Sequence, residues 1–142
     1  MALCLRRLGK STLLSNSPVV SIIDDDDSIR TATCNLVRSL EYVAYAFASA
    51  EEFLRSSHLK ETSCVIADVQ MPRMSGIDLQ DHLRALGNRV PFIFITAIAA
   101  EPIRERALSA GAICFLTKPF DGEMLIRCVE TALKGDGAQA GQ

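Results

Sequence analysis

Apolar residues in this chain come in short runs separated by stretches of helical period, the arrangement expected of strands alternating with helices. Five runs read as strands: Val19 to Asp24, Val43 to Ala46, Cys64 to Asp68, Phe92 to Thr96 and Ile113 to Thr117. They are brief and rich in Val, Ile and Phe, as strands buried on both faces of a parallel sheet must be. The first, third and fourth are expected at its centre. Helices fit the gaps at Ser28 to Leu40, Ala50 to Ser56, Ile77 to Ala85, Ile103 to Ala110 and Glu123 to Leu133. In the first helix Ile29, Leu36, Val37 and Leu40 point inward. Start and stop signals agree with these bounds. Ser49 followed by Glu52 makes a capping box, Pro102 suits a first helical turn, and Gly87 and Gly111 stand where helices end. Strict alternation implies right-handed crossovers, and so an α/β domain whose open sheet is covered on both faces.

Residues outside that pattern lie at the two ends. Arg6, Arg7 and Lys10 carry +3 with no acid before Asp24, which leaves −5 on the remainder. Residues 1–18 are therefore expected to form a basic, flexible extension before a domain over 19–134. Its apolar stretches are too short for a signal-peptide core. Gly9-Lys10-Ser11-Thr12 imitates the end of a phosphate-binding loop, but Cys4 stands where that motif needs glycine. Residues 135–142, small and polar, read as a frayed tail or the start of a linker.

Composition narrows the function classes. A chain of 142 residues holds about one domain, and a hydrophobic fraction of 49% is ample for a core. Fifteen Lys and Arg against 17 Asp and Glu give a net charge of −2, so no general attraction to nucleic acid exists and no direct contact with it is expected. The longest apolar run, Val90 to Ala100, falls well short of the roughly 20 residues that cross a bilayer, so no membrane helix is expected. Cys4, Cys34, Cys64, Cys114 and Cys128 are odd in number, scattered and free of any CxxC pair. That argues against a disulfide framework and against a zinc site, and fits reduced thiols in a cytoplasm.

In open α/β sheets, chemistry gathers beyond the carboxyl ends of the strands. There the sequence delivers Asp24 and Asp25 after the first strand, Asp68 at the end of the third, Thr96 at the end of the fourth and Lys118 after the fifth. Crowded carboxylates resist ionising unless a cation neutralises them. Magnesium, with its preference for carboxylate, water and phosphate oxygens, suits the set. With an ammonium and a hydroxyl at the same spot, the site can hold a phosphoryl group, and the reacting atom is a carboxylate oxygen. Taken singly, each residue has a plainer reading. Asp24 to Asp27 reads as a solvated loop in which Asp27 caps a helix. Asp68 reads as a turn cap before Met71-Pro72, and Lys118 as a surface charge. An EF-hand fails, because neither its glycine nor its late glutamate occurs in register from Asp24. The conjunction of strand ends carries the inference.

At these residues the chain resembles the response-regulator receiver domain of bacterial two-component signalling. The resemblance covers about Ser17 to Lys134. It rests on Val20-Ser21-Ile22-Ile23-Asp24-Asp25-Asp26, on Asp68-Val69-Gln70-Met71-Pro72-Arg73-Met74-Ser75-Gly76, on Phe94-Ile95-Thr96-Ala97 and on Lys118-Pro119-Phe120. Ala48-Ser49-Ala50-Glu51-Glu52-Phe53-Leu54 is similar to the FixJ-type branch, whose members usually join a receiver to a helix-turn-helix output domain.

The resemblance implies a flavodoxin-like doubly wound (βα)5 fold with five parallel strands in the order 2-1-3-4-5. It implies that Asp68 accepts a phosphoryl group from a sensor histidine kinase. Asp25, Asp68 and the backbone carbonyl of Gln70 then bind Mg2+, with Mn2+ as the alternative ion, while Asp24 holds a metal-bound water. Thr96 hydrogen-bonds one phosphoryl oxygen, Lys118 pairs with another, and the small Ala97 leaves room. Phe115 is the switch aromatic, its plainer reading being core filling. Gln70 and Ile98 stand at variable positions that govern hydrolytic water, and Lys118-Pro119 is a candidate cis bond. The function implied is a cytoplasmic signalling switch that transfers phosphoryl only to itself and controls transcription through an output domain or partner. Its responsive face, Ile103 to Leu133, carries Arg104, Glu105, Arg106, Glu123, Arg127 and Glu130; these form either self-complementary pairs of a phosphorylation-favoured homodimer or a solvated surface. Two other readings compete. A phosphatase of haloacid-dehalogenase type needs a second aspartate two residues after the first, and Gln70 stands there. A receiver-like interaction module that never takes phosphate has no need of Asp25, Asp68, Thr96 and Lys118 together.

Overall fold

The computed structural model describes residues 17–140 except residue 99, with side chains described through residue 134. The expected extension over residues 1–18 lies almost wholly outside them. Strands β1 (Val19–Ile23), β2 (Val43–Phe47), β3 (Cys64–Asp68), β4 (Phe92–Thr96) and β5 (Cys114–Thr117) alternate with helices α1 (Asp27–Ser39), α2 (Ala50–Leu54), α3 (Gly76–Ala85), α4 (Glu101–Ser109) and α5 (Gly122–Ala140). The strands form one parallel sheet in the order β2-β1-β3-β4-β5. This is the doubly wound flavodoxin-like arrangement.

Side chains alternate across a strand, so uniformly apolar strands serve two layers at once. Val65, Ala67, Phe92 and Phe94 pack on one face with Phe53 of α2, Leu79 and Leu83 of α3 and Ala107 of α4. Ile22, Ile66, Ile93 and Ile95 pack on the other with Cys34 and Val37 of α1 and Leu125, Val129 and Ala132 of α5. Every residue of β1, β3 and β4 is buried, whereas β2 and β5 at the edges are partly open. Full burial of a Phe or Ile side chain contributes about 1.5–3 kcal/mol, which makes these three strands the anchor for the loops that leave them.

Helix ends refine the expected bounds. The cap of α1 is Asp26, whose side chain accepts from the Ile29 N–H at 3.1 Å; Asp27, expected as the cap, is the first helical residue and pairs with Arg30. The Asp24 side chain accepts from the Asp26 N–H at 2.9 Å, a turn that brings the chain into helical register one residue early. At α2 the Ser49 hydroxyl caps Glu52 as expected, but the Glu52 carboxylate accepts from the Ala48 N–H, one residue upstream of the box position. The complete capping box is Ser75 with Asp78 at α3. Gly87 and Gly111 end α3 and α4 at φ of 84° and 101°, a region where a Cβ is penalised.

Two expectations are corrected. Helix α5 runs to Ala140, past the expected end at Leu133 and into the segment read as a frayed tail or the start of a linker. Gly135 and Gly137 weaken a helix, but neither blocks its hydrogen-bond ladder as proline would. Cys114 and Cys128 form a disulfide, against the all-thiol expectation. Fourteen residues separate them in sequence, yet α5 folds back beside β5 and sets their Cα atoms 6.1 Å apart. Among the described residues no helix is long and apolar enough to cross a membrane.

Candidate functional site

Each acidic residue is held by the strand it leaves. The Asp24 N–H donates to the Phe47 carbonyl at 3.1 Å, so parallel pairing of β1 with β2 continues one residue past the strand. Arg30, reaching back from α1, donates to the Asp24 carbonyl at 2.7 Å. Asp68 closes β3, and its Oδ1 accepts from the Gln70 N–H at 3.0 Å, which folds the following loop over the strand end. Lys118 leaves β5 just before a cis peptide bond to Pro119, and its N–H donates to the Thr96 carbonyl at 2.7 Å. Parallel strands point their carboxyl ends the same way, so these residues converge.

The convergence is close. Lys118 Nζ donates to Asp24 Oδ2 at 3.3 Å and to Asp68 Oδ2 at 3.2 Å. One carboxylate oxygen each from Asp24, Asp25 and Asp68 lie within 4.8 Å of one another. Asp24 and Asp68 are buried, at 3% and 6% exposure, while Asp25 faces solvent. Burial pushes the Asp24 carboxyl above its ordinary range, and the Asp68 charge adds to the rise against the Asp26 N–H and Lys118. Burial alone would lower the Lys118 ammonium, but the carboxylates of Asp24 and Asp68 outweigh it and hold the lysine above its ordinary value.

Three carboxylates and one ammonium leave a formal charge of −2 in this corner, which is the donor set a hard divalent cation requires. Oxygen ligands of one magnesium ion stand about 3 to 4 Å apart, so a spread of up to 4.8 Å closes with small side-chain movement. The chemistry of the residues therefore fits the ion.

The β3–α3 loop brings its own constraint. The Gly76 N–H donates to the Val69 carbonyl at 3.1 Å. A Cβ on Gly76 would stand 2.5 Å from the Asp68 carbonyl oxygen and 3.1 Å from Phe94 Cε1. Only glycine lets the start of α3 approach the strand that carries Asp68 so closely.

Thr96 is buried at the end of β4, but its hydroxyl is turned to the β4–α4 loop, where it donates to the Ile98 carbonyl and accepts from the Ile98 N–H, both at 3.2 Å. To reach a group on Asp68 it must leave Ile98. Phe115 is half-buried and packs against the α2–α3–α4 face of the sheet. The Gln70 and Ile98 side chains are exposed beside the site. On the face over Ile103 to Leu133, Arg106 is already engaged across to α3, at 2.7 Å from Asp81 and 3.9 Å from Asp78, and Arg104 pairs with Glu101 at 3.6 Å. Arg30 and the steric role of Gly76 are additions of the structure. Arg30 had a faint signal in its i,i+3 spacing from Asp27; Gly76 closes the Asp68-to-Gly76 run that carries the family resemblance, but its close approach to β3 is not written in that run.

Comparison with known proteins identifies the family. Residues 20–130 match the family model of the response regulator receiver domain. The chain is 41% identical over 128 residues to the response regulator protein TmoT of Ectopseudomonas mendocina, covering 90% of this chain and 58% of that protein. It is 34% identical over 123 residues to the transcriptional regulatory protein FixJ of Azorhizobium caulinodans, covering 87% and 58%. Among solved structures, response regulator StyR superposes with a TM-score of 0.79 at 38% identity, covering 88% of this chain and 63% of that one. The chain thus spans less than two thirds of the length of these relatives.

Proposed function

Because the chain belongs to the response regulator receiver family of two-component systems, in its FixJ-type branch, we propose that it is a phosphorylation-driven switch that accepts a phosphoryl group on Asp68. The observation that carries this reading is Lys118 Nζ bridging the Asp24 and Asp68 carboxylates beside Asp25. The donor is the phosphohistidine of a sensor kinase. An Asp68 carboxylate oxygen attacks phosphorus, the P–N bond breaks, the imidazole departs, and a mixed anhydride remains on the protein. Such a transfer depends on alignment and on sharing spread charge rather than on proton chemistry.

Each residue then has a task. Asp25, Asp68 and the Gln70 carbonyl would hold Mg2+, and Asp24 would support the ion through water. When bound, the ion neutralises the acidic corner so that an anionic donor can approach a carboxylate. Lys118 follows its Asp68 partner onto a phosphoryl oxygen. Thr96 exchanges its Ile98 bonds for another phosphoryl oxygen, and Phe115 turns into the space vacated beneath it. These movements favour one of two pre-existing shapes and so alter the α4-β5-α5 face. That face supports a phosphorylation-favoured homodimer, with Glu105, Glu123, Arg127 and Glu130 as candidate pairing charges once Arg106 is occupied by α3. The output is control of transcription, as the name of the FixJ relative says of that protein.

The test is intact mass after incubation with Mg2+ and acetyl phosphate. A single stoichiometric phosphoryl adduct, absent in Asp68→Asn, is expected. An adduct that survives in Asp68→Asn overturns the assignment. Steady phosphate release over many turnovers would make the protein a phosphatase instead, and no adduct at all would leave a binding module.

A further inference from the structure

The pairing of Cys114 with Cys128 has no part in phosphoryl chemistry, yet it joins two elements of the face proposed to respond, β5 and α5. We propose that these cysteines form a reversible dithiol–disulfide modification site that sets how readily the β5–α5 face responds at Asp68. The inference rests on the phosphoacceptor reading above.

Its ground is where the pair sits. Along β5, Cys114 and Leu116 face the layer of α1 and α5, while Phe115 between them faces the opposite layer. Lys118 follows four residues after Cys114. A bond from Cys114 to Cys128 therefore fastens to α5 the strand that carries Phe115 and leads into Lys118. The Cα separation of 6.1 Å lies within the span of about 4.4–6.8 Å that a disulfide bridges. This backbone therefore accommodates the bond, whose effect is to restrain later movement.

Access selects this pair over the others described. Cys114 is half-buried and can meet a small reagent, whereas Cys34 and Cys64 lie within the packed core at 3% and 0% exposure. Burial also pushes the Cys34 thiol up, away from the reactive thiolate. Cys128 is 3% exposed, so it follows Cys114 rather than leads. The oxidant is a small disulfide of glutathione type. The Cys114 thiolate attacks one of its sulfurs and expels one thiol; the Cys128 thiolate then attacks Cys114 Sγ in that mixed disulfide and expels the second. Two protein thiols are oxidised and one small disulfide is reduced to two thiols. A dithiol reductant reverses both steps.

With the bond closed, β5 and α5 move together and the shift of Phe115 is resisted; with it open, they part more readily. The test uses the full chain with Cys4→Ser, to keep that thiol out of the exchange. Treatment with oxidised glutathione is expected to lower the intact mass by two hydrogens, with no such loss in Cys114→Ser. Adduct formation from acetyl phosphate is expected to be about tenfold slower in the oxidised than in the reduced form, the scale of ordinary coupling between sites. Cys114→Ser should react at the reduced rate under both conditions. A glutathione mixed disulfide that persists on Cys114 overturns the pair. Equal rates in the two forms, with adduct present, overturn the coupling alone. No adduct in either form overturns the phosphoacceptor reading itself.

Discussion

Replacing Gly76 by alanine separates two physical expectations of opposite sign. Gly76 opens α3, and helix propensity alone makes Gly→Ala favourable by up to about 1 kcal/mol. The structure demands the reverse. The new Cβ would stand 2.5 Å from the Asp68 carbonyl oxygen, 0.9 Å inside the 3.4 Å at which ordinary contact begins, and 3.1 Å from Phe94 Cε1. The obstructing atom is backbone of a strand buried on both faces, so it cannot swing away as a side chain would. Overpacking of this kind costs about 1–3 kcal/mol, and against the propensity gain the net expectation is a loss of about 1–2 kcal/mol, or about 4–8 °C in Tm for a domain of this size. Relief must come from separating α3 from β3, which displaces the residue meant to receive phosphate. A 1 Å misplacement of a reacting group costs about 100-fold, so phosphoryl uptake from acetyl phosphate should slow by about 10- to 100-fold. Gly87→Ala is the control, since nothing lies within 4 Å of its Cβ position. It should cost about 1 kcal/mol through its left-handed backbone alone and leave uptake unchanged. A Gly76→Ala protein that melts at or above the parent temperature and takes up phosphate normally would refute the steric argument.

Further outcomes follow from the same geometry. Because the folded protein raises the Asp24 pKa, the group contributes stability below its ordinary value of 3.8, and that contribution is lost as pH rises through the folded value. Asp24→Asn should therefore be the more stable protein in metal-free neutral solution, by thermal melting, with the advantage vanishing in acid below about pH 4; a variant weaker at neutral pH contradicts this. Adding Mg2+ should raise Tm, since binding at 100 times its Kd stabilises by about 2.7 kcal/mol, and Asp25→Asn should lose most of the rise; an equal rise in both would remove Asp25 from the ion's shell. Ser75→Ala deletes the capping box of α3 and should cost about 1 kcal/mol in denaturant unfolding, a result that a change below 0.3 kcal/mol would exclude.

Much of the site was legible because each participant ends a strand. The apolar runs closing at Asp68 and Thr96 pointed to the strand ends, and parallel topology made those ends neighbours. Partnerships were not legible. Lys118 is 94 residues from Asp24 and 50 from Asp68, and no local pattern encodes which carboxylate a lysine will reach. That it bridges both follows from Thr96 receiving the Lys118 N–H at the end of β4. The rest position of Thr96 was invisible for a related reason: its two bonds go to the backbone of Ile98, and a backbone partner leaves no trace in residue type. Asp26 rather than Asp27 became the cap because Asp24 tightened the turn, a choice between adjacent aspartates that composition cannot make.

Period and residue type belong to the chain as written. Alternation of apolar strands with amphipathic helices, the handedness it compels and the set of oxygen and ammonium groups at the strand ends all follow from local chemistry repeated along it. Distances belong to packing. The close seat of α3 against β3, the shared lysine and the meeting of Cys114 with Cys128 arise because elements far apart in sequence press against one sheet, and the free energy that positions them comes from the buried layers on its two faces rather than from the residues that meet.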